Sequence, residues 1–77
     1  MIEQVKLFTS PTCPYCVLVK SFLRDRGVDY RELDVRADDG LRTQMIEVSG
    51  QMGVPVVEAH GQVVVGYNRR ALEELTE

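Results

Sequence analysis

Two cysteines three residues apart limit what this chain of 77 residues can become more than any other feature. They belong to Cys13-Pro14-Tyr15-Cys16, set where an apolar run, Val5-Lys6-Leu7-Phe8, gives way to a helical pattern that stops at Gly27. A C-x-x-C at a strand-to-helix seam points to dithiol redox chemistry. Helix geometry permits it. Residues i and i+3 differ by about 4.5 Å of rise, which leaves their Cα atoms roughly 5 Å apart. A disulfide needs about 4.4–6.8 Å.

The two thiols are expected to differ. Pro14 suits the first helical position, because it has no N–H to leave unsatisfied and its φ is already set. Cys13 then becomes the N-cap, at the positive end of the helix dipole. Cysteines so placed reach pKa values of about 3.5–7.5, against roughly 8.5 for a free thiol. Cys16 lies one turn in and is less exposed. The pattern therefore casts Cys13 as the nucleophile that forms a mixed disulfide and Cys16 as the thiol that resolves it.

Other readings of the pair stand beside this one. The cysteines could be structural, or half of a zinc site. Structural zinc takes four ligands, so a zinc or iron–sulfur module would need a dimer sharing Cys13 and Cys16. His60 lies far in sequence from any second metal-type ligand, so no metal site is expected within one chain. A non-catalytic binding domain is a third reading, and the intact cysteine pair argues against it.

Composition bounds the rest. Seventy-seven residues make one domain, 1–77, near the lower limit for a self-sufficient core. Hydrophobic content of 44% with 27% charged residues argues against disorder. A formal charge of −3, with both signs interspersed, gives no reason to expect nucleic acid. No apolar run approaches the ~18–20 residues that span a bilayer, and Met1-Ile2-Glu3-Gln4 lacks the pattern of a signal peptide. A cytoplasmic monomer is expected, in a compartment where a cycling disulfide is at home and a structural one is not.

Along the chain, Ile2 to Phe8 reads as a strand with Val5 and Leu7 on one face and Lys6 and Phe8 on the other. Thr9-Ser10-Pro11-Thr12 reads as a loop. A helix runs from Pro14 to Arg26 with an apolar stripe of Tyr15, Leu18, Val19, Phe22 and Leu23, and Gly27 stops it. Val28 to Val35 is a second strand, with Leu33 and Val35 on one face. A βαβ unit of this kind requires parallel strands and a right-handed crossover. Asp38 caps a second helix that ends at Gly50 and buries Leu41, Met45 and Val48. Val54 to Ala59, the turn His60-Gly61 and Gln62 to Val65 read as a β-hairpin. Asn68 caps a final helix through Leu75. The order β-α-β-α-β-β-α gives an α/β fold, a four-stranded mixed sheet with helices on both faces.

Val54-Pro55 is the second feature with chemical meaning. Proline opening a strand is tolerated in any case, and only about 5–6% of X-Pro bonds are cis. A cis bond would hold the Val54 backbone beside the dithiol, where its N–H and C=O could pair with an extended peptide or with glutathione.

Phe8-Thr9-x-x-x-Cys13-Pro14-Tyr15-Cys16, Gly53-Val54-Pro55-Val56-Val57 and Val65-Gly66-Tyr67 together resemble the glutaredoxin family, in order and over essentially the whole chain. The resemblance implies a thioredoxin-like fold, a cis Pro55 and thiol–disulfide oxidoreductase activity with Cys13 as nucleophile. No bound cofactor is expected, and glutathione is one candidate co-substrate. Substrate contacts would fall at Thr12, Tyr15, Val54, Pro55, Gly66, Tyr67, Asn68 and Arg69. The partners would be disulfide-containing proteins.

Two departures bear on the reductant. Glutathione-using members commonly carry a lysine three residues ahead of the first cysteine, and here Ser10 stands there. They also carry a Gly-Gly pair followed by Asp residues, where this chain has Val65-Gly66-Tyr67-Asn68-Arg69-Arg70. These changes resemble the glutaredoxin-like electron donors of ribonucleotide reductase, so the reductant is either glutathione or thioredoxin reductase. Arg69 and Arg70 oppose the helix dipole. They read either as solvated surface charges or as a site for an anionic partner. Lys20 reads as a surface lysine, Met45 and Met52 as core or loop filling, and Thr12 as a support for the thiolate or a plain loop residue.

Overall fold

In the computed structural model, which describes residues 5–77, four strands and three helices follow one another in the expected order. The alternation of β1 (Val5–Thr9) organises them. Val5 and Leu7 join one core cluster with Val19, Leu23 and Leu72, while Phe8 joins another with Leu33, Met45 and Val56. A strand apolar on both faces needs cover on both sides. α1 (Pro14–Asp25) and α3 (Arg69–Leu75) cover one face, and α2 (Asp39–Ser49) covers the other. β1 pairs in parallel with β2 (Tyr30–Asp34) and antiparallel with β3 (Val56–Ala59). β4 (Gln62–Val65) completes the mixed sheet in the order β2-β1-β3-β4.

Local chemistry sets the ends of the elements. After α1 the N–H of Gly27 (φ +69°) donates to the Arg24 carbonyl at 3.0 Å, and that of Val28 to the Leu23 carbonyl at 2.9 Å. This is the paired closure that a left-handed residue makes available. Asp38 caps α2, its Oδ1 accepting from the N–H groups of Gly40 at 2.8 Å and Leu41 at 3.4 Å. Gly50, also left-handed, ends that helix. The hairpin turns on His60 and Gly61, both at positive φ, the combination that suits a two-residue turn.

Several boundaries differ from the sequence reading. Residues Ile2 to Gln4 of the expected first strand lie outside the described residues. Thr9 is the last residue of β1 and not part of the loop, because its carbonyl accepts the Val35 N–H at 3.0 Å and extends the ladder with β2. β2 begins at Tyr30 because the Val28 N–H is already committed to α1. β3 begins at Val56, since Pro55 has no N–H to give and its carbonyl is taken by the N–H of Gly66 at 2.9 Å. The apolar stripe of α1 is also narrower. Cys16, Val19 and Leu23 are buried, whereas Tyr15 and Leu18 face solvent. Met45 is core, but Met52 is exposed in the loop before Val54.

Candidate active site

β1 and the loop after it deliver Cys13 to the head of α1. Cys13 has extended backbone (φ −95°, ψ 111°) and is the N-cap, with Pro14 next in the helix. Its Sγ accepts the N–H of Cys16 at 3.2 Å. On its other side, Sγ approaches the carbonyl oxygen of Val54, 3.8 Å away and 41 positions distant in sequence. Both cysteines are free thiols. Cys13 is partly buried, and Cys16 is 1% exposed.

The buried sulfur of the pair is held neutral. Burial pushes the Cys16 thiol above its ordinary value, and the adjoining Cys13 adds to that push. The Thr9 hydroxyl and the Ser10 backbone act in the opposite direction without reversing it. A thiol in this condition stays protonated at neutral pH.

The Val54–Pro55 peptide bond is cis. Because the Pro55 carbonyl accepts from Gly66, which takes φ +76°, the segment Gly66-Tyr67-Asn68 is drawn to the same end of the sheet as Val54. Beside Val54 opens a groove of about 320 Å³ whose walls include Ser10, Arg36, Arg42 and Met52. Two guanidinium groups therefore border the position where Ser10 stands in place of a lysine.

The remaining expected site residues divide. Tyr15 is 60% exposed between the cysteines, and Tyr67 is partly open. Thr12 is exposed, and its hydroxyl accepts from Arg36 Nη1 at 3.3 Å, so that hydroxyl is engaged away from the thiol. The side chain of Asn68 accepts the Ala71 N–H at 3.1 Å and is spent on capping α3. Arg69 is exposed at the start of that helix, and Arg70 pairs with Glu74 at 3.7 Å. Lys20 pairs with Glu32 across to β2, and that hydrogen bond raises its pKa. Among the described residues no group of three or more His, Cys, Asp or Glu side chains gathers in a way that could hold a metal.

Two residues at the site were not picked out from sequence. Arg36 lies two residues past the end of β2 and is brought to Thr12 of the loop by the parallel pairing of β1 and β2. Thr9 is buried beneath α1, and only its pairing in β1 takes it out of the loop.

The glutaredoxin family model matches residues 5–64. The chain belongs to the glutaredoxin family. Members are generally thiol–disulfide oxidoreductases, and the Cys13–Cys16 pair provides the two sulfurs that such chemistry uses. Over 73 residues the chain is 34% identical to an uncharacterised glutaredoxin-like protein of the rubredoxin operon of Clostridium pasteurianum, covering 95% of this chain and 97% of that one. It is 36% identical over 65 residues to glutaredoxin 3 of Escherichia coli, covering 84% and 78% respectively. The crystal structure of the Archaeoglobus fulgidus glutaredoxin superposes with a TM-score of 0.85 at 31% identity, over 95% of this chain and 85% of that one. The glutaredoxin fold, thioredoxin-like in its four-stranded mixed sheet and three helices, is thereby shared. Among the described residues no helix is long and apolar enough to cross a membrane.

Proposed function

We propose that this glutaredoxin-family chain reduces protein or glutathione mixed disulfides by a dithiol mechanism in which Cys13 attacks and Cys16 resolves. One observation carries the reading: the partly open Cys13 Sγ receives the Cys16 N–H at 3.2 Å while Cys16 itself is buried. An N–H directed at sulfur at a helix head stabilises negative charge there. The Cys13 thiolate attacks one sulfur of the substrate disulfide, and the other sulfur leaves as a thiolate and takes a proton from solvent. Cys16 then gives up its proton and attacks Cys13 Sγ. The Cys13–Cys16 bond forms, the mixed disulfide breaks, and the substrate departs with both sulfurs reduced. An external dithiol or two thiols return the enzyme to its reduced form.

The Val54 backbone supplies a short edge to which an extended peptide or glutathione can add, since its carbonyl already lies beside the attacking sulfur. Arg36 and Arg42 supply the positive charge that Ser10 lacks, and a carboxylate is the natural occupant of the groove between them. The reducing cytoplasm suits such a cycle.

The test is turnover. The wild-type protein should reduce hydroxyethyl disulfide or insulin, and Cys13→Ser should lose that activity altogether. Full activity in Cys13→Ser would overturn the proposal. Parallel reduction of the oxidised protein by glutathione, and by thioredoxin reductase with NADPH, identifies the reductant.

A further inference from the structure

Among the described residues β4 pairs with β3 alone, so its other side is an edge of the sheet. Residues along an antiparallel pair alternate between those that exchange N–H···O=C bonds and those that do not. The Gly66 N–H meets the Pro55 carbonyl at 2.9 Å and continues the register in which Val65 faces Val56 and Val64 faces Val57. Gln62, Val64 and Gly66 therefore turn their backbone groups toward β3, and Val63 and Val65 turn theirs outward. Strand edges are ordinarily protected by charged side chains, proline or a bulge. β2, at the opposite edge, carries Arg31, Glu32 and Asp34. β4 reads Gln62-Val63-Val64-Val65, with no charge and no proline. Val65 is 45% exposed, and Val63 on the same face is only partly buried.

We propose that the β4 edge pairs antiparallel with the β4 edge of a second copy of this chain, about a two-fold axis at Val64. In this register Val63 of each copy exchanges two bonds with Val65 of the other, so every outward N–H and C=O of the strand is used. No other register does so within β4. The exposed Val65 packs beside Val63 of the second copy, and β-branched cross-strand pairs of this kind favour association. No charge meets its like across the axis, whereas the same pairing about the middle of β2 would set Glu32 against Glu32. A contact made by the same patch on both copies closes at two. Cys13 is delivered by β1, which lies on the other side of β3 from β4, so the pairing leaves the dithiol open. A four-residue ladder falls short of the area that stable complexes bury, so the dilute chain is a monomer and the pair forms as its concentration rises.

Sedimentation equilibrium of the full chain, kept reduced and taken from micromolar to millimolar concentration, should show the mean mass rising toward twice that of the monomer. Over the same range the largest concentration-dependent amide shifts in NMR spectra should fall at Val63 and Val65. Val65→Pro removes an outward N–H without touching the bonds to β3. It should raise the dissociation constant by about thirtyfold, the worth of two neutral hydrogen bonds lost together about the axis. Val65→Lys gives the edge an ordinary protecting charge and should act in the same direction if proline disturbs the strand. A chain that stays monomeric at millimolar concentration would overturn the proposal. Association that persists undiminished in Val65→Pro and Val65→Lys would also overturn it, by seating the contact on another surface such as the exposed Tyr15 and Leu18 of α1.

Discussion

Burial of the sulfur one turn into α1 sets how the stability of the reduced protein varies with pH. The pKa of Cys16 is raised in the folded state, chiefly by burial. A thiol shifted upward contributes stability that is fully present below its unfolded pKa and is lost as pH rises toward the folded value. Denaturant melts of the reduced protein should therefore show falling stability as pH climbs past the ordinary thiol value of roughly 8.5. Cys16→Ala should remove this contribution, and an unchanged alkaline slope in that variant would show that the shift is not seated at Cys16. The cysteines were legible in sequence because their spacing fixes their relation within one helix turn. Arg36 and Thr9 were not, because each matters through a strand pairing that no local pattern encodes.

At the scale of elements, the helix ends were the most readable features. Asp38, Gly50, Gly27 and Asn68 act within a few residues of themselves, so sequence and structure agree on them. Asp38→Ala removes the acceptor for two N–H groups at the head of α2 and should cost about 1 kcal/mol. For a domain of this size that lowers Tm by roughly 4–8 °C, measurable by calorimetry. Gly27→Ala should also destabilise. A Cβ there meets open space, so the cost of about 1 kcal/mol comes from φ +69° and not from a clash. The Lys20–Glu32 pair ties α1 to β2, but its carboxylate is 46% exposed. Glu32→Gln should therefore change stability by less than about 1 kcal/mol, with the effect fading in high salt. Strand ends were less readable than helix ends, since Val28, Val54 and Thr9 were assigned by apolarity or loop composition while hydrogen bonding decided their state.

For the whole molecule, the sheet order followed from the βαβ unit and the hairpin, both of which are topological necessities once the elements are placed. Among the described residues two small clusters on opposite faces of β1 form the core, so little is held in reserve. Leu7, fully buried in β1, illustrates this. Leu7→Ala should cost about 2–5 kcal/mol, out of a total of about 4–12 kcal/mol expected for 77 residues. Urea denaturation of the variant should find it partly unfolded at 37 °C. The fold thus serves to set two sulfurs in unequal surroundings, and the assignment of their roles can be read directly. Cys13→Ser and Cys16→Ser should each be incubated with glutathione disulfide, and the site of any adduct mapped by peptide mass spectrometry. The account predicts a stable glutathionyl adduct on Cys13 in Cys16→Ser and almost none on Cys16 in Cys13→Ser; adducts in equal yield on both, or on Cys16 alone, would contradict it.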